Sequence, residues 1–362
     1  MGRNEDMERG ELKKIWVLHV GVGRVGSEFV TQVAKQSEYL KEKYGVELLF
    51  YGLFTSDGGI VCSQGFSPVS AVTQICSKNF SKTVQVFDSL KSIEKPFVLI
   101  DTTASDITYP PLLEALKKGG YAVVSNKKPL AAAQSQFDTL QKYSGEKFFF
   151  ETVVGAGLPV ISTIQDMLES GDEILEMQGC FSGTLGYIFS NLDTGRLFSE
   201  VVLEAKEKGF TEPDPRDDLG GVDMARKALI LARLIGQKKE LSDIQLEGLY
   251  PKEMNQMSVH EFLGELSSLD TIYKEKVANA KKEKKVLRFV ATVSEKNCSV
   301  GLQEVEKDAD IGSLKGPDNL IVIKTKRYLH NPMVIKGPGA GLPVTAGGVF
   351  SDLLKIIRKE RL

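Results

Sequence analysis

"KKIWVLHVGVGRVGSEFV", residues Lys13 to Val30, decides the fold of the first half. It begins as an apolar, β-rich run, breaks at Gly21, Gly23 and Gly26, and continues in a pattern that predicts a helix through about Tyr44. Each glycine of this G-x-G-x-x-G spacing has its own physical task. The first lets the chain turn, the second lets backbone approach a pyrophosphate, and the third lets helix and strand pack closely. The backbone amides that open the helix, at Arg24, Val25 and Gly26, then face the phosphates. A tight structural turn would use the same glycines, so the reading depends on the elements downstream of the helix.

Those elements alternate. Val46 to Phe54, Phe97 to Thr103, Tyr121 to Asn126 and Lys147 to Val154 read as short apolar strands of the buried parallel kind. Helical patterns separate the later ones, PLLEALKKGG and then PLAAAQSQFDTLQKYSG. This is a Rossmann-type α/β domain, in which ligands sit beyond the carboxyl ends of the strands. Two such ends are therefore of interest, Asp101-Thr102-Thr103 and Asn126-Lys127-Lys128. An acidic residue at the end of the second strand selects NAD and a basic one NADP. Asp57 in SDGG is the candidate acid, or a plain turn residue, and Arg24 is the candidate base; the choice between NADP and NAD stays open on these residues.

The chain's balance bounds the rest. With 362 residues there is room for two domains, and a formal net charge of -2 with 26% charged residues gives no pull toward nucleic acid or anionic lipid. No apolar run approaches the length of a membrane span. Cys62, Cys76, Cys180 and Cys298 form no C-x-x-C pair, and His19, His260 and His330 lie far apart. The first residues are neither a signal peptide nor a transit peptide, and Asp6 stands where a myristoylation motif beginning Met1-Gly2 needs Ser or Thr. A soluble, cytoplasmic protein with a small-molecule partner is expected.

After Val154 the pattern changes to strands in succession, with helical segments around GTLGYIFSNL, FSEVVLEAKEKG and GVDMARKALILARLIG. That predicts an α+β domain with an antiparallel sheet. Its chemistry is concentrated in KGFTEPDPRDDLGGVDMARKALILAR, Lys208 to Arg233. Pro213 and Pro215 prevent continuation of the preceding helix, so Glu212 to Asp218 is expected as a turn. The next helix should begin near Gly220, with Asp223 in its first turn and Lys227 one turn later on the same face. An i,i+4 pair is worth only a few tenths of a kcal/mol on an exposed helix. Val222, Met224, Ala225, Ala228, Leu229, Ile230, Leu231 and Ala232 make this helix apolar around most of its girth, so the pair reads as mostly buried and functional. An ammonium beside a carbonyl oxygen stabilises the charge that develops on hydride addition and donates a proton, and Asp223 would keep Lys227 charged. The other carboxylates, Glu212 first, suit a cationic group on the substrate.

These motifs occur together elsewhere. The glycine loop, SNKKPL (Ser125 to Leu130), ETVVGAGLP (Glu151 to Pro159), GTLGYIFS (Gly183 to Ser190), the acidic turn through Lys227, and GPGAGLPVTAGGVFSDLL (Gly337 to Leu354) resemble, in this order, those of the homoserine dehydrogenases. The resemblance covers nearly the whole chain. It implies NAD(P)H-dependent reduction of L-aspartate 4-semialdehyde to L-homoserine, on the route to threonine, methionine and isoleucine. It makes Lys227 the proton donor, with Asp223 and Lys127 in the catalytic group and Glu212, Asp218 and Asp223 on the substrate. Cofactor contacts are implied for Gly21, Gly23, Arg24, Val25, Gly26, Thr103, Lys127, Gly209, Gly339 and Gly341. Glu151, Val154, Ala156 and Leu158 match a loop whose oxygens hold a monovalent cation, in kind a sodium ion, and a homodimer is implied. The corresponding domain plan is 12–155 for the nucleotide, 156–335 for substrate and dimerisation, and 336–362 returning to the nucleotide domain. Two departures stand out. Thr55-Ser56-Asp57 replaces the arginine that favours NADP in many relatives, and neither a C-terminal regulatory domain nor a fused aspartate kinase is expected.

Overall fold

Residues 12–361 are described by the structure, a computed structural model; the reading of Met1, Gly2 and Asp6 lies outside them. The chain divides into two units. The first comprises residues 12–129, Asp138–Thr152 and 342–361; the second comprises Leu130–Phe137 and Val153–Gly341.

In the first unit the apolar runs become β1 (Lys13–Val20), β2 (Val46–Thr55), β3 (Gly58–Phe66), β4 (Phe97–Asp101), β5 (Tyr121–Val124) and β6 (Phe148–Phe149). Their order is β3-β2-β1-β4-β5-β6, with all neighbours parallel except the edge strand β3. Val20 is in register with Phe54 on one side and with Asp101 on the other, so three strands end along one rim. Strand order reverses on either side of β1, which places the topological switch point at the glycine loop. The helix Arg24–Tyr44 covers this sheet with Phe29, Val30, Val33 and Leu40. Beside it, Leu342–Glu360 buries Ala346, Val349, Leu353, Ile356 and Ile357, a helical stripe that completes the same core.

The second unit holds β7 (Ile174–Cys180), β8 (Gln245–Leu246), β9 (Lys285–Ser294), β10 (Cys298–Glu306), β11 (Asp318–Thr325) and β12 (Met333–Pro338). The order is β12-β11-β7-β9-β10-β8, antiparallel except for the short β8–β10 pair. Helices Gly183–Leu192, Val222–Leu234 and Asp270–Lys282 pack against β9. The molecule is thus an α/β protein with a Rossmann-type unit and an α+β unit. Among the described residues no helix is long and apolar enough to cross a membrane.

Several local expectations are revised. The strand expected over Lys147 to Val154 stops at Phe149, because the Glu151 amide donates to Asp352 Oδ2 at 2.8 Å instead of to a neighbouring strand, and Glu151–Val153 is a 3-10 turn. The pattern after Lys128 predicts one helix; two short ones, Lys128–Ala131 and Gln134–Gln141, replace it. Arg233 Nη1 captures the carbonyls of Leu130 and Ala132, which a continuous helix would use internally. The turn expected over Glu212–Asp218 is interrupted at Arg216, where the helical turn Arg216–Leu219 begins. The strand β3 begins within SDGG, at Gly58, and returns along β2 as a hairpin. Finally, β12 pairs with β11 from Ile323↔Met333 to Asp318↔Pro338, so the return to the first unit begins at Leu342 instead of residue 336.

Candidate active site

The glycine loop of the first unit is a closed hairpin of backbone. Gly21 has φ +93°, its amide and that of Val22 both donate to the Phe54 carbonyl (2.9 and 3.1 Å), and the Gly23 amide donates back to the Gly21 carbonyl at 2.7 Å. A Cβ on Gly21 would lie 2.6 Å from the Thr103 amide nitrogen, and one on Gly26 would lie 2.5 Å from the Gly21 carbonyl oxygen. Gly23 is different. Its φ is -84°, and the nearest atom to an added Cβ is 4.0 Å away. Neither backbone conformation nor internal packing demands glycine there, so the missing side chain leaves room outside the protein. No side chain caps the helix that starts at Arg24, and its first turn holds no acid. Open amides at a helix N-terminus with space in front of them fit the pyrophosphate of a dinucleotide. Arg24 is exposed at that helix start; Asp57 is exposed in the turn between β2 and β3, its amide donating to Thr55 Oγ1 at 3.1 Å.

The neighbouring strand ends are tied together by buried polar groups. Asp101, fully buried, accepts the Thr103 amide at 2.9 Å and the Asn126 side-chain amide at 3.1 Å. The same Asn126 amide nitrogen lies within 3.1 Å of Thr103 Oγ1, Ser105 O and Thr108 Oγ1, while Asn126 Oδ1 accepts the Lys128 amide. Thr103 and the half-buried Lys127 are therefore carried on fixed backbone. Under the loop, His19 Nε2 is 2.9 Å from Thr102 Oγ1 and the ring meets Phe29 edge-on. Burial pushes the His19 pKa down to about 3, so the imidazole is neutral. His19, Thr102 and Asn126 have no role on sequence grounds beyond strand-end position; a histidine inside an apolar strand two residues before the first glycine is the one available signal.

In the second unit the helix Val222–Leu234 starts from Gly221, whose φ of +72° a larger residue would hold only with strain. Lys227 Nζ is 2.9 Å from Asp223 Oδ2 and donates to the Phe181 carbonyl at 2.6 Å. Its side chain is 12% exposed against 46% for Asp223, so the ammonium lies inside and its counter-ion at the surface. Phe181 directly follows β7, and sequence pattern offers no way to anticipate a carbonyl as the second partner.

The acidic turn divides by role. Asp214 is bound by Arg216 through Nε and Nη2 (2.7–3.1 Å), and Arg216 Nη1 also donates to the carbonyls of Met254 and Met257. Hydrogen bonding to Arg216 holds the Asp214 pKa below its usual range, and this carboxylate serves the turn. Asp218, half-buried, has its pKa raised by burial, against which the Glu212 amide donates to its Oδ2 at 2.8 Å. Glu212 itself is exposed.

The remaining implied residues fall on both units. Gly209 has φ +70° after the helix Phe198–Glu207, Gly341 has φ +127°, and a Cβ on Gly339 would meet Asn319 Oδ1 at 2.2 Å, so backbone or packing gives each an internal reason to be glycine. Glu151 belongs to the first unit, with its carboxylate 3.4 Å from Lys355 Nζ. Val154, Ala156 and Leu158 belong to the second, where Gly155 and Ala156 both have left-handed φ, +84° and +56°.

A glycine-looped Rossmann unit joined to a sheet unit that carries a largely buried lysine paired with a surface aspartate is the build of a two-domain nucleotide-dependent dehydrogenase. The family model for homoserine dehydrogenase matches residues 159–354. Homoserine dehydrogenase of Saccharomyces cerevisiae is 36% identical over 363 residues, covering 96% of this chain and 99% of that protein. A bifunctional aspartokinase/homoserine dehydrogenase 2 of Zea mays, chloroplastic, is 38% identical over 347 residues, covering 93% of this chain. This chain spans only 38% of the length of that bifunctional relative. A crystal structure of a Candida auris protein of unknown function superposes with a TM-score of 0.88 at 31% identity, covering 96% of this chain and 99% of that one. The chain belongs to the homoserine dehydrogenase family.

The buried neutral His19 makes stability depend on acidity. An unfolded imidazole takes up a proton below its ordinary value of 6.5, whereas the folded one does so only near 3. Unfolding therefore binds a proton in this window, and stability present above pH 6.5 is lost as the pH falls. Denaturant titrations of wild type and His19→Gln between pH 7.5 and 4.5 should diverge by up to about 1.4 kcal/mol per pH unit below 6.5, with wild type losing more. Parallel pH profiles would show that His19 protonates in the folded state.

Proposed function

We propose that this chain catalyses the reversible reduction of L-aspartate 4-semialdehyde to L-homoserine with NADPH or NADH, a step toward threonine, methionine and isoleucine. The observation that carries the reading is the largely buried Lys227 ammonium, on the helix that follows a turn rich in carboxylates and fixed there by Asp223 and the Phe181 carbonyl. When bound, the dinucleotide supplies the hydride. As the aldehyde carbon is reduced, its oxygen gains the carbonyl electron pair; Lys227 stabilises that charge and gives the oxygen a proton. Glu212 and Asp218, with Asp223, offer negative charge to the substrate ammonium. The family resemblance also gives Lys127 a place near the substrate and the nicotinamide.

The loop bearing Val154, Ala156 and Leu158 supports a further element, a sodium ion held by backbone oxygens. A hard cation takes oxygen ligands, and a left-handed alanine costs about 1 kcal/mol that bound charge can offset. A cytoplasmic location accords with four unpaired cysteines, Cys62, Cys76, Cys180 and Cys298. A homodimer completes the reading on the strength of family membership.

The test is oxidation of NADPH and of NADH by the purified chain with aspartate semialdehyde. Turnover establishes the activity, and the ratio of the two kcat/KM values decides between Arg24 and Asp57 as selector; folded protein that binds a dinucleotide without turning over would send the motifs to another substrate. Lys227→Met should lower kcat about 10³-fold with dinucleotide affinity kept within about twofold, as expected for loss of a general acid. Weakened dinucleotide binding with turnover intact at saturation would reverse that assignment. Glu212→Gln should raise the KM for homoserine about tenfold with a smaller effect on kcat; an unchanged KM removes Glu212 from the substrate site.

A further inference from the structure

One part-buried hydrogen-bonded chain beneath the glycine loop has no part in moving the hydride or the proton. His19 Nε2 lies 2.9 Å from Thr102 Oγ1, and Thr102 Oγ1 lies 2.7 Å from the Gly21 carbonyl oxygen. A carbonyl can only accept, so the Thr102 hydroxyl proton points to Gly21 and its lone pair accepts from His19. The imidazole must then carry its proton on Nε2, leaving Nδ1 bare. Nδ1 is indeed buried without a hydrogen-bond partner, and burial keeps the ring neutral. Orphaned polar atoms in a core are uncommon and call for a reason. Here the reason is at the other end of the ring.

We infer that His19 and Thr102 are positioning residues for the dinucleotide, holding the Gly21 carbonyl inward so that the amides opening the helix at Arg24 stay turned toward the pyrophosphate. The same carbonyl accepts the Gly23 amide at 2.7 Å, so anchoring it anchors the whole turn between the first two glycines. The third glycine closes on the network from above. A Cβ on Gly26 would lie 2.5 Å from Gly21 O, 2.8 Å from Thr102 Oγ1 and 3.0 Å from His19 Cε1. β4 reaches the loop through a second bond as well, since the Thr102 amide donates to the Val20 carbonyl at 2.9 Å. Loop, β1 and β4 thus share one short relay, His19 to Thr102 to Gly21. The inference rests on the nucleotide-binding reading of this loop and adds to it two residues that do not touch the ligand.

The experiment is direct binding of NADPH, followed by fluorescence, and of ADP-ribose by competition, to the full chain and four variants. Thr102→Val and His19→Phe remove the relay; Thr102→Ser and His19→Gln keep a hydroxyl and a side-chain N–H donor. The first two should weaken both ligands about five- to tenfold, with kcat at saturating dinucleotide within about twofold of wild type. The second two should bind within about twofold of wild type, a rescue that a general packing defect would not give. Thr102→Val or His19→Phe binding NADPH as tightly as wild type overturns the inference, as does a lowered saturating kcat with unchanged affinity. If either of these two variants does not fold, the other decides. Wild type that binds neither NADPH nor NADH overturns the nucleotide reading itself, a result distinct from any of these.

Discussion

The ammonium of Lys227 is the constraint around which the second unit is organised. Taking an ammonium out of water costs several kcal/mol unless a counter-ion and hydrogen-bond acceptors replace the lost solvent. Asp223, one turn back on the same helix, supplies the charge, and the carbonyl of Phe181 supplies the acceptor. These partners impose conditions on the fold. The helix must begin within a turn of Asp223, which Gly221 permits through its left-handed φ, and β7 must end against the helix at Phe181. The apolar residues of the helix, Met224, Ala225, Ala228, Leu229, Ile230 and Leu231, are buried and leave the Lys227 side chain only 12% exposed.

The first unit solves a different problem, how to present bare backbone to a highly charged ligand without losing its shape. Gly23 leaves the space and the uncapped helix start leaves the donors. Rigidity comes from the adjacent strand ends, where the buried side chains of Asp101, Asn126 and His19 and the half-buried Thr102 tie β1, β4 and β5 to one another. Polar networks of this sort specify one arrangement because an unpaired member would be costly.

The legible part of the sequence is the part that depends on neighbours in the chain. The three glycines, the strand–helix alternation and the i,i+4 spacing of Asp223 and Lys227 are local patterns, and the structure places them on the expected elements. The illegible part depends on distant partners. The helix after Lys128 is broken by Arg233, which lies 103 residues beyond Leu130. The acidic residues between Lys208 and Arg233 look alike in sequence, yet Asp214 is occupied by Arg216, whose geometry is fixed by the carbonyls of Met254 and Met257. β3 is a hairpin return, and SDGG reads equally as a cofactor selector or a turn. The Phe181 carbonyl is a backbone atom, to which side-chain pattern is blind.

The central claim, that Lys227 moves the proton, is tested most directly by the pH dependence of the reaction in its two directions. An ammonium is a competent acid throughout the neutral range and becomes a base only near the ordinary lysine pKa of about 10. Aldehyde reduction should therefore run at full rate near pH 7, while homoserine oxidation should rise through about pH 8 to 10. Coincident optima for the two directions would contradict the account and move the proton to another group.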